Sequence, residues 1–468
     1  MQLFNPKKNP QIHRVLKGAV YLGSAQFMRV VFRALYIIVL ARFLGPEMFG
    51  LYNYGLGWYL AFMSLTQLGF DLILSKEGGR NKVDSDIFVA GTLRVQLLVT
   101  IFTTLTCWVV ALVLEEQEVS VILGVFSLAL MGRSLSAWVS FVFTSREKSN
   151  RVFWLESTCR MLETLSGTVI LFRGGGLLEI AIIHTLFWWI QAIWGLIELS
   201  AYRLLLIPNH VSDIIKNLGG GPIILGFASV FQIWTAQAPL ILFRQLGGNA
   251  ILLGEISIAF QVLGLLAGLS WAILRAALPQ LSRSVEAKRS ADLTFTNLLF
   301  SVTIVGGGVA VALTIILADT ILFLIVGDEY IAAAKFLPYT VAASAVYTIG
   351  VGAHQILAAH RKYNLILWGT ATGAIITTSV MLLTWPISME FAPFISLLAG
   401  LVAWSVVVGG AVYNITRFSL WNVLVIPLTV STYGVGLAYI ITPLGITTAL
   451  LAFPPVFLLW ACYKKLSK

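Results

Sequence analysis

Long apolar runs separated by short polar breaks fill this chain from end to end. A helix rises 1.5 Å per residue, so about 20 such residues cross a ~30 Å hydrocarbon core. Runs of that order lie at 16–40, 52–74, 88–114, 119–143, 152–172 and 177–206. They continue at 221–243, 253–281, 296–317, 336–358, 363–384, 391–414, 420–441 and 443–462. The pattern predicts an all-α polytopic membrane protein with about 14 transmembrane helices and both termini on the same side.

Composition agrees. Of 468 residues, 58% are hydrophobic and 11% charged, and the mean hydropathy is +0.88. Soluble domains hold about 25% charged residues. The net charge of +10 would suggest nucleic acid in a soluble protein, but here it is topological. With the N-terminus inside, the cytoplasmic segments hold 21 of the 31 lysines and arginines, and the opposite loops hold only Arg42, Arg173, Arg244 and Lys335. One missed span would invert every later loop, so the asymmetry supports both a cytoplasmic location for the termini and the span count. The basic start (Lys7, Lys8, Arg14, Lys17) resembles a signal peptide, but its apolar run is too long and has no cleavage site, which reads as a retained first helix. Cys107, Cys159 and Cys462 lack metal or disulfide spacing and read as buried thiols.

Two motifs recur six spans apart. Arg42, Leu44, Gly45 and Gly50 after span 1 match Arg244, Leu246, Gly247 and Gly254 after span 7. Lys148, Asn150 and Trp154 match Lys362, Asn364 and Trp368 without a gap. The repeat predicts two six-helix lobes, 1–218 and 219–418, followed by a helix pair at 419–468. An even number of spans per unit makes the repeats parallel, and transporters built in this way bind substrate between lobes and alternate access by rocking them.

Six arginines fall inside spans, at 29, 33, 94, 133, 160 and 275. Arg29 and Arg33 are the deepest, near the middle of span 1, where a charge costs at least ~2.5–3.5 kcal/mol. Such residues face a cavity or a partner.

The segment ARFLGPEMFGLYNYG (residues 41–55), the Gly69–Phe70–Asp71 triplet ending span 2, GDEYIAAAKFLPY (327–339) and LAAHRKYN (357–364) resemble the Wzx-type polysaccharide flippases. These belong to the MOP superfamily, with the MurJ flippases and MATE exporters. The resemblance spans essentially the whole chain in length, span count and repeat. It implies a multi-pass protein of the bacterial inner membrane that moves an O-antigen or exopolysaccharide repeat unit, linked to undecaprenyl pyrophosphate, from the inner to the outer leaflet. Membrane lipids, and the polymerase and chain-length proteins of the same pathway, are the partners implied. A monomer is expected, because each chain carries both lobes.

With that substrate in view, Gln26, Arg29, Arg33 and Tyr36 form one stripe on span 1 suited to a diphosphate. A structural ion pair with an acid on a neighbouring helix is the competing reading. Arg94, Arg133, Arg160 and Arg275 lie nearer the cytoplasmic ends, where they either form an entry path for phosphate or snorkel. Glu156, Arg160 and Glu163 share a face of span 5 and read as an intrahelical charge ladder, or with Glu163 as a proton or sodium carrier. His184 is a titrating or a packing residue. Asp71, ending span 2, is a candidate cytoplasmic gate or ion-coupling group. Gln232, Gln237 and Gln261 suit sugar hydroxyls or interhelical hydrogen bonds, and Trp188, Trp189 and Trp194 suit sugar faces or the headgroup layer.

No GxxxxGK[ST], HExxH or GxSxG motif is present, and the longest outer segment is about 18 residues, so neither ATP hydrolysis nor another catalytic activity is expected. No cofactor is expected apart from a coupling H+ or Na+, and no nucleic acid or metal. The competing readings are a MATE-like drug or metabolite exporter, which would want acids in its cavity if it exports organic cations, and a membrane-embedded polymerase or ligase.

Overall fold

The computed structural model describes residues 10–67, 82–200, 220–286 and 291–417, together with 203, 432 and 435. Among them are eleven α-helices and one 3-10 helix. They are α1 (Pro10–Gln67), α2 (Lys82–Leu114), α3 (Gln117–Ser145), α4 (Ser149–Phe172), α5 (Leu177–Leu199) and α6 (Gly220–Gln245). Then follow α7 (Ala250–Glu286), α8 (Ala291–Ile325), the 3-10 helix η1 (Asp328–Phe336), α9 (Leu337–Ala359), α10 (Tyr363–Thr384) and α11 (Ala392–Thr416). Nine helices among the described residues are long and apolar enough to cross a membrane, which makes this a multi-pass membrane protein. Spans 13 and 14 lie outside the described residues, apart from positions 432 and 435.

α1 holds two expected spans, because the chain breaks inside it. Gly45 takes φ 68 and ψ 174, a region open essentially to glycine alone. Pro46 follows without an N–H to continue the ladder. The repeat partner Gly247 also has positive φ, at 96.

The second motif repeats in backbone as well as in sequence. Glu147 and Arg361, at equivalent places, are left-handed with φ 59 and 56. The next amide in each copy closes the same six-residue turn, Lys148 N–H to the Phe143 carbonyl at 2.8 Å and Lys362 N–H to the Leu357 carbonyl at 2.9 Å. Each is a Schellman-type end to the preceding helix.

The chain divides into two compact units, Met1–Leu44 with Leu51–Gln237, and Gly45–Gly50 with Ala238–Lys468. In the first, Val89, Leu93, Trp138, Val139, Leu155 and Ala192 form an apolar core of α2 to α5. Glycines let helices approach: a Cβ on Gly132 of α3 would stand 2.8 Å from the Trp188 carbonyl carbon on α5. Beside this core, Gln96 of α2 donates to the Thr66 carbonyl (2.8 Å) and to the Ser134 hydroxyl, which in turn meets Thr100 at 2.6 Å. In the second unit, α10 and α11 close on the Gly373 carbonyl, 2.7 Å from where a Cβ on Gly400 would sit. Phe336 and Phe394 stack at 4.6 Å.

Also in the second unit, the equivalent glycines of the first motif meet. A Cβ on Gly50 would lie 2.7 Å from the Gly254 nitrogen, and one on Gly254 would overlap the Pro46 carbonyl oxygen. A backbone oxygen cannot swing aside as a side-chain tip can. Gly254→Val is therefore expected to cut folded protein in the membrane several-fold, while Gly268→Ala on the same helix, with nothing within 4 Å, leaves it unchanged. Size-exclusion recovery of the two variants checks this.

Candidate cationic site

Four helices of the first unit bring charges together: α1 supplies Gln26, Arg29 and Arg33, α3 Arg133, α4 Glu156, Arg160 and Glu163, and α5 His184, Trp188 and Gln191. The expected ladder on α4 is half realised. Arg160 Nη1 pairs with Glu163 on its own helix. Glu156 instead faces α1, its Oε2 3.8 Å from Arg29 Nη1. Arg29 also donates to the Gln26 amide oxygen. Its stripe partner Tyr36 is buried on α4, where its hydroxyl occupies the space a Cβ on Gly167 would need.

Hydrogen bonds fix the protonation of the deepest part. The Trp188 indole N–H can only donate, and it stands 3.0 Å from His184 Nε2. Nε2 must therefore accept, so the neutral ring carries its proton on Nδ1. That proton points at Glu163 Oε1, 2.7 Å away. The other carboxylate oxygen, Oε2, receives Arg160. Both oxygens of Glu163 act as acceptors, so this carboxylate is ionised and His184 is neutral.

Trp188 also works through its face. The Arg160 guanidinium lies 3.8 Å from an indole centroid, and Arg160 Nη2 donates to the Gln191 amide oxygen at 3.1 Å. Arg133 lies over the same indole at 5.1 Å and over Tyr59 at 5.3 Å. Among the described residues Arg133 makes no direct ion pair; it also meets the Tyr59 hydroxyl and lies within electrostatic range of Glu163. Cation–π contact uses the face of a guanidinium and leaves its in-plane N–H fork available. Arg33 is exposed and within electrostatic range of Arg29, Arg133 and the Tyr52 hydroxyl. Four guanidinium groups against two carboxylates leave the cluster with a net charge of about two positive units. Phe126 lines its base against Tyr52 and His184 at 5.8 and 5.6 Å.

Seven expected residues are thus assembled: Gln26, Arg29, Arg33, Arg133, Arg160, Glu163 and His184. Arg94 is half-buried on α2. Arg275 belongs to α7 of the second unit, and its side chain lies outside the described residues, as does Asp71 altogether. Sequence reasoning missed Gln191 and Tyr59 and read Trp188 as a sugar-stacking or headgroup-layer residue. His184, Trp188 and Gln191 are spaced 4 and 3 apart, which already puts them on one helical face. Glu179, by contrast, caps its own helix by accepting the Gly176 N–H at 2.9 Å, and Glu198 pairs with Arg151.

No curated protein matches this sequence. Among solved structures, the lipid II flippase MurJ in an inward-closed conformation superposes with a TM-score of 0.68 at 13% identity, covering 95% of this chain and 99% of its own. The MATE multidrug transporter DinF-BH gives 0.65 at 13% identity, covering 87% and 97%. A MOP superfamily transporter from Pyrococcus furiosus with a binding pocket of reverse polarity gives 0.56 at 12% identity, covering 86% and 95%. The fold is that of MurJ and the MATE transporters. The family model described as polysaccharide biosynthesis protein matches residues 15–285, more than half of the length, and it spans every helix of the cationic cluster; the chain belongs to that family.

Proposed function

We propose that this protein flips an oligosaccharide linked to undecaprenyl pyrophosphate from the inner to the outer leaflet of a bacterial plasma membrane by alternating access, with the diphosphate held by Arg33 and Arg133. The observation that carries the reading is Arg133, a half-buried guanidinium over the Trp188 and Tyr59 rings and beside the Tyr59 hydroxyl, which forms no direct ion pair with a carboxylate among the described residues. A guanidinium with no carboxylate across from it suits a phosphate, whose oxygens accept its remaining N–H bonds. The charge count supports a diphosphate, because a diphosphate diester carries one negative charge on each phosphorus and the cluster has a matching surplus. Arg29 and Gln26 serve at its edge, with Arg29 partly satisfied by Glu156. An exporter of organic cations needs the opposite balance.

Depletion of the protein in its host tests the reading. Lipid extracts should then accumulate undecaprenyl-diphosphate carrying a complete repeat unit, and surface polymer should fall. An unchanged lipid-linked pool with normal surface polymer would reject it.

A further inference from the structure

A second candidate site lies on the first unit, away from the cationic cluster. A cavity of about 270 Å³ between α4 and α5 is lined by Arg151, Trp154, Leu155, Thr158, Trp194 and Glu198. Arg151 is nine residues before Arg160, roughly 13 Å along the helix. It also lies on a different face: Glu156, Arg160, Glu163 and Gly167 turn towards α1 and α5, whereas the cavity opens beside the apolar stripe of Trp154, Leu165, Val169 and Phe172. On α5 the exposed neighbours are Leu186, Ile190, Ile193 and Ile197. Surfaces this apolar on a multi-pass protein face lipid tails.

The level of the cavity is set by the repeat. Trp154 and its equivalent Trp368 are 60% and 68% exposed, each in the second turn of a helix entered through Lys148 or Lys362. Tryptophan one turn inside a basic helix end marks the headgroup layer. Within that layer the cavity offers one cation, one anion and two indoles. Arg151 and Glu198 form an ion pair, 55% and 22% exposed, of the kind that exchanges partners readily.

We propose that this cavity binds a zwitterionic phospholipid headgroup, with the phosphodiester on Arg151 and the ammonium on Glu198 and the indoles of Trp154 and Trp194. The charge set favours a headgroup bearing both signs. An anionic headgroup would satisfy Arg151 and be repelled by Glu198, whereas an ammonium gains both the carboxylate and the aromatic faces. The volume suits a headgroup, with the acyl chains lying along the apolar stripes of α4 and α5.

Native mass spectrometry of the purified full-length protein in mixed micelles of equal phosphatidylethanolamine and phosphatidylglycerol tests this. The wild type should retain phosphatidylethanolamine over phosphatidylglycerol by roughly tenfold. Trp154→Ala and Glu198→Ala should bring the two lipids close to parity while the protein still elutes as a folded species. Both positions are at the protein surface or half-buried, so these variants are not expected to unfold it. Equal or greater retention of phosphatidylglycerol by the wild type would overturn the proposal, as would a preference unchanged in both variants.

Discussion

Arg33→Ala combined with Arg133→Ala should abolish surface polysaccharide while the protein stays in the membrane at its normal level. Each guanidinium contributes charge-assisted hydrogen bonds to a bound diphosphate of about 1.5–3 kcal/mol. Loss of both removes roughly 3–6 kcal/mol, a fall of about a hundredfold to ten-thousandfold in affinity. The fold loses less. The contacts of Arg133 with Tyr59 and Trp188 are each worth about 0.5–2 kcal/mol. Arg29→Ala alone should have a smaller effect, because Glu156 already stands 3.8 Å from it. Lysine at both positions keeps the charge without the fork and should restore only part of the output. Polymer output and membrane abundance, measured together, separate binding from folding. Normal polymer from the double alanine variant would remove the arginines from the transport path.

Apolar run length located most helix ends among the described residues to within a few residues, and missed by six to eight at Lys82, Leu199 and Ile325, where the helices start or stop away from the ends of the apolar runs. The glycine and proline at 45 and 46 mark the break between the first two spans within α1. The repeat was legible from short matches, and its physical content is conformational: the same left-handed residue ends the same turn at Glu147 and Arg361. The site was legible only as a list of members. Helical spacing says that Glu156, Arg160 and Glu163 share a face of α4, but not which neighbour meets each part of that face. Glu156 therefore looked like a partner for Arg160, and the structure gives it to Arg29. The role of Trp188 was hidden for the same reason. Nothing in a sequence shows that one indole lies against two guanidinium groups and also pins a histidine tautomer.

Glu163→Gln should destabilise the protein sharply, by roughly 3 kcal/mol or more, since it leaves Arg160 as an uncompensated buried charge. The amide can still accept the His184 Nδ1 proton through its oxygen, but its NH2 then faces the Arg160 guanidinium, a donor against a donor. A proton added to Glu163 would create the same conflict while Trp188 holds His184 in its present tautomer. The carboxylate is thus built as a fixed counter-ion, which argues against its cycling between proton-loaded and empty states. The double variant Glu163→Leu with Arg160→Met separates the roles. Replacing a buried pair by apolar side chains of similar volume is often neutral or stabilising, so thermal stability in detergent should return towards the wild-type value. If polymer output returns with it, the pair serves to keep the cluster folded and electrically balanced, and Arg33 and Arg133 bind the substrate. A stable double variant that exports no polymer would instead make the pair part of the transport step and reopen Glu163 as the coupling group.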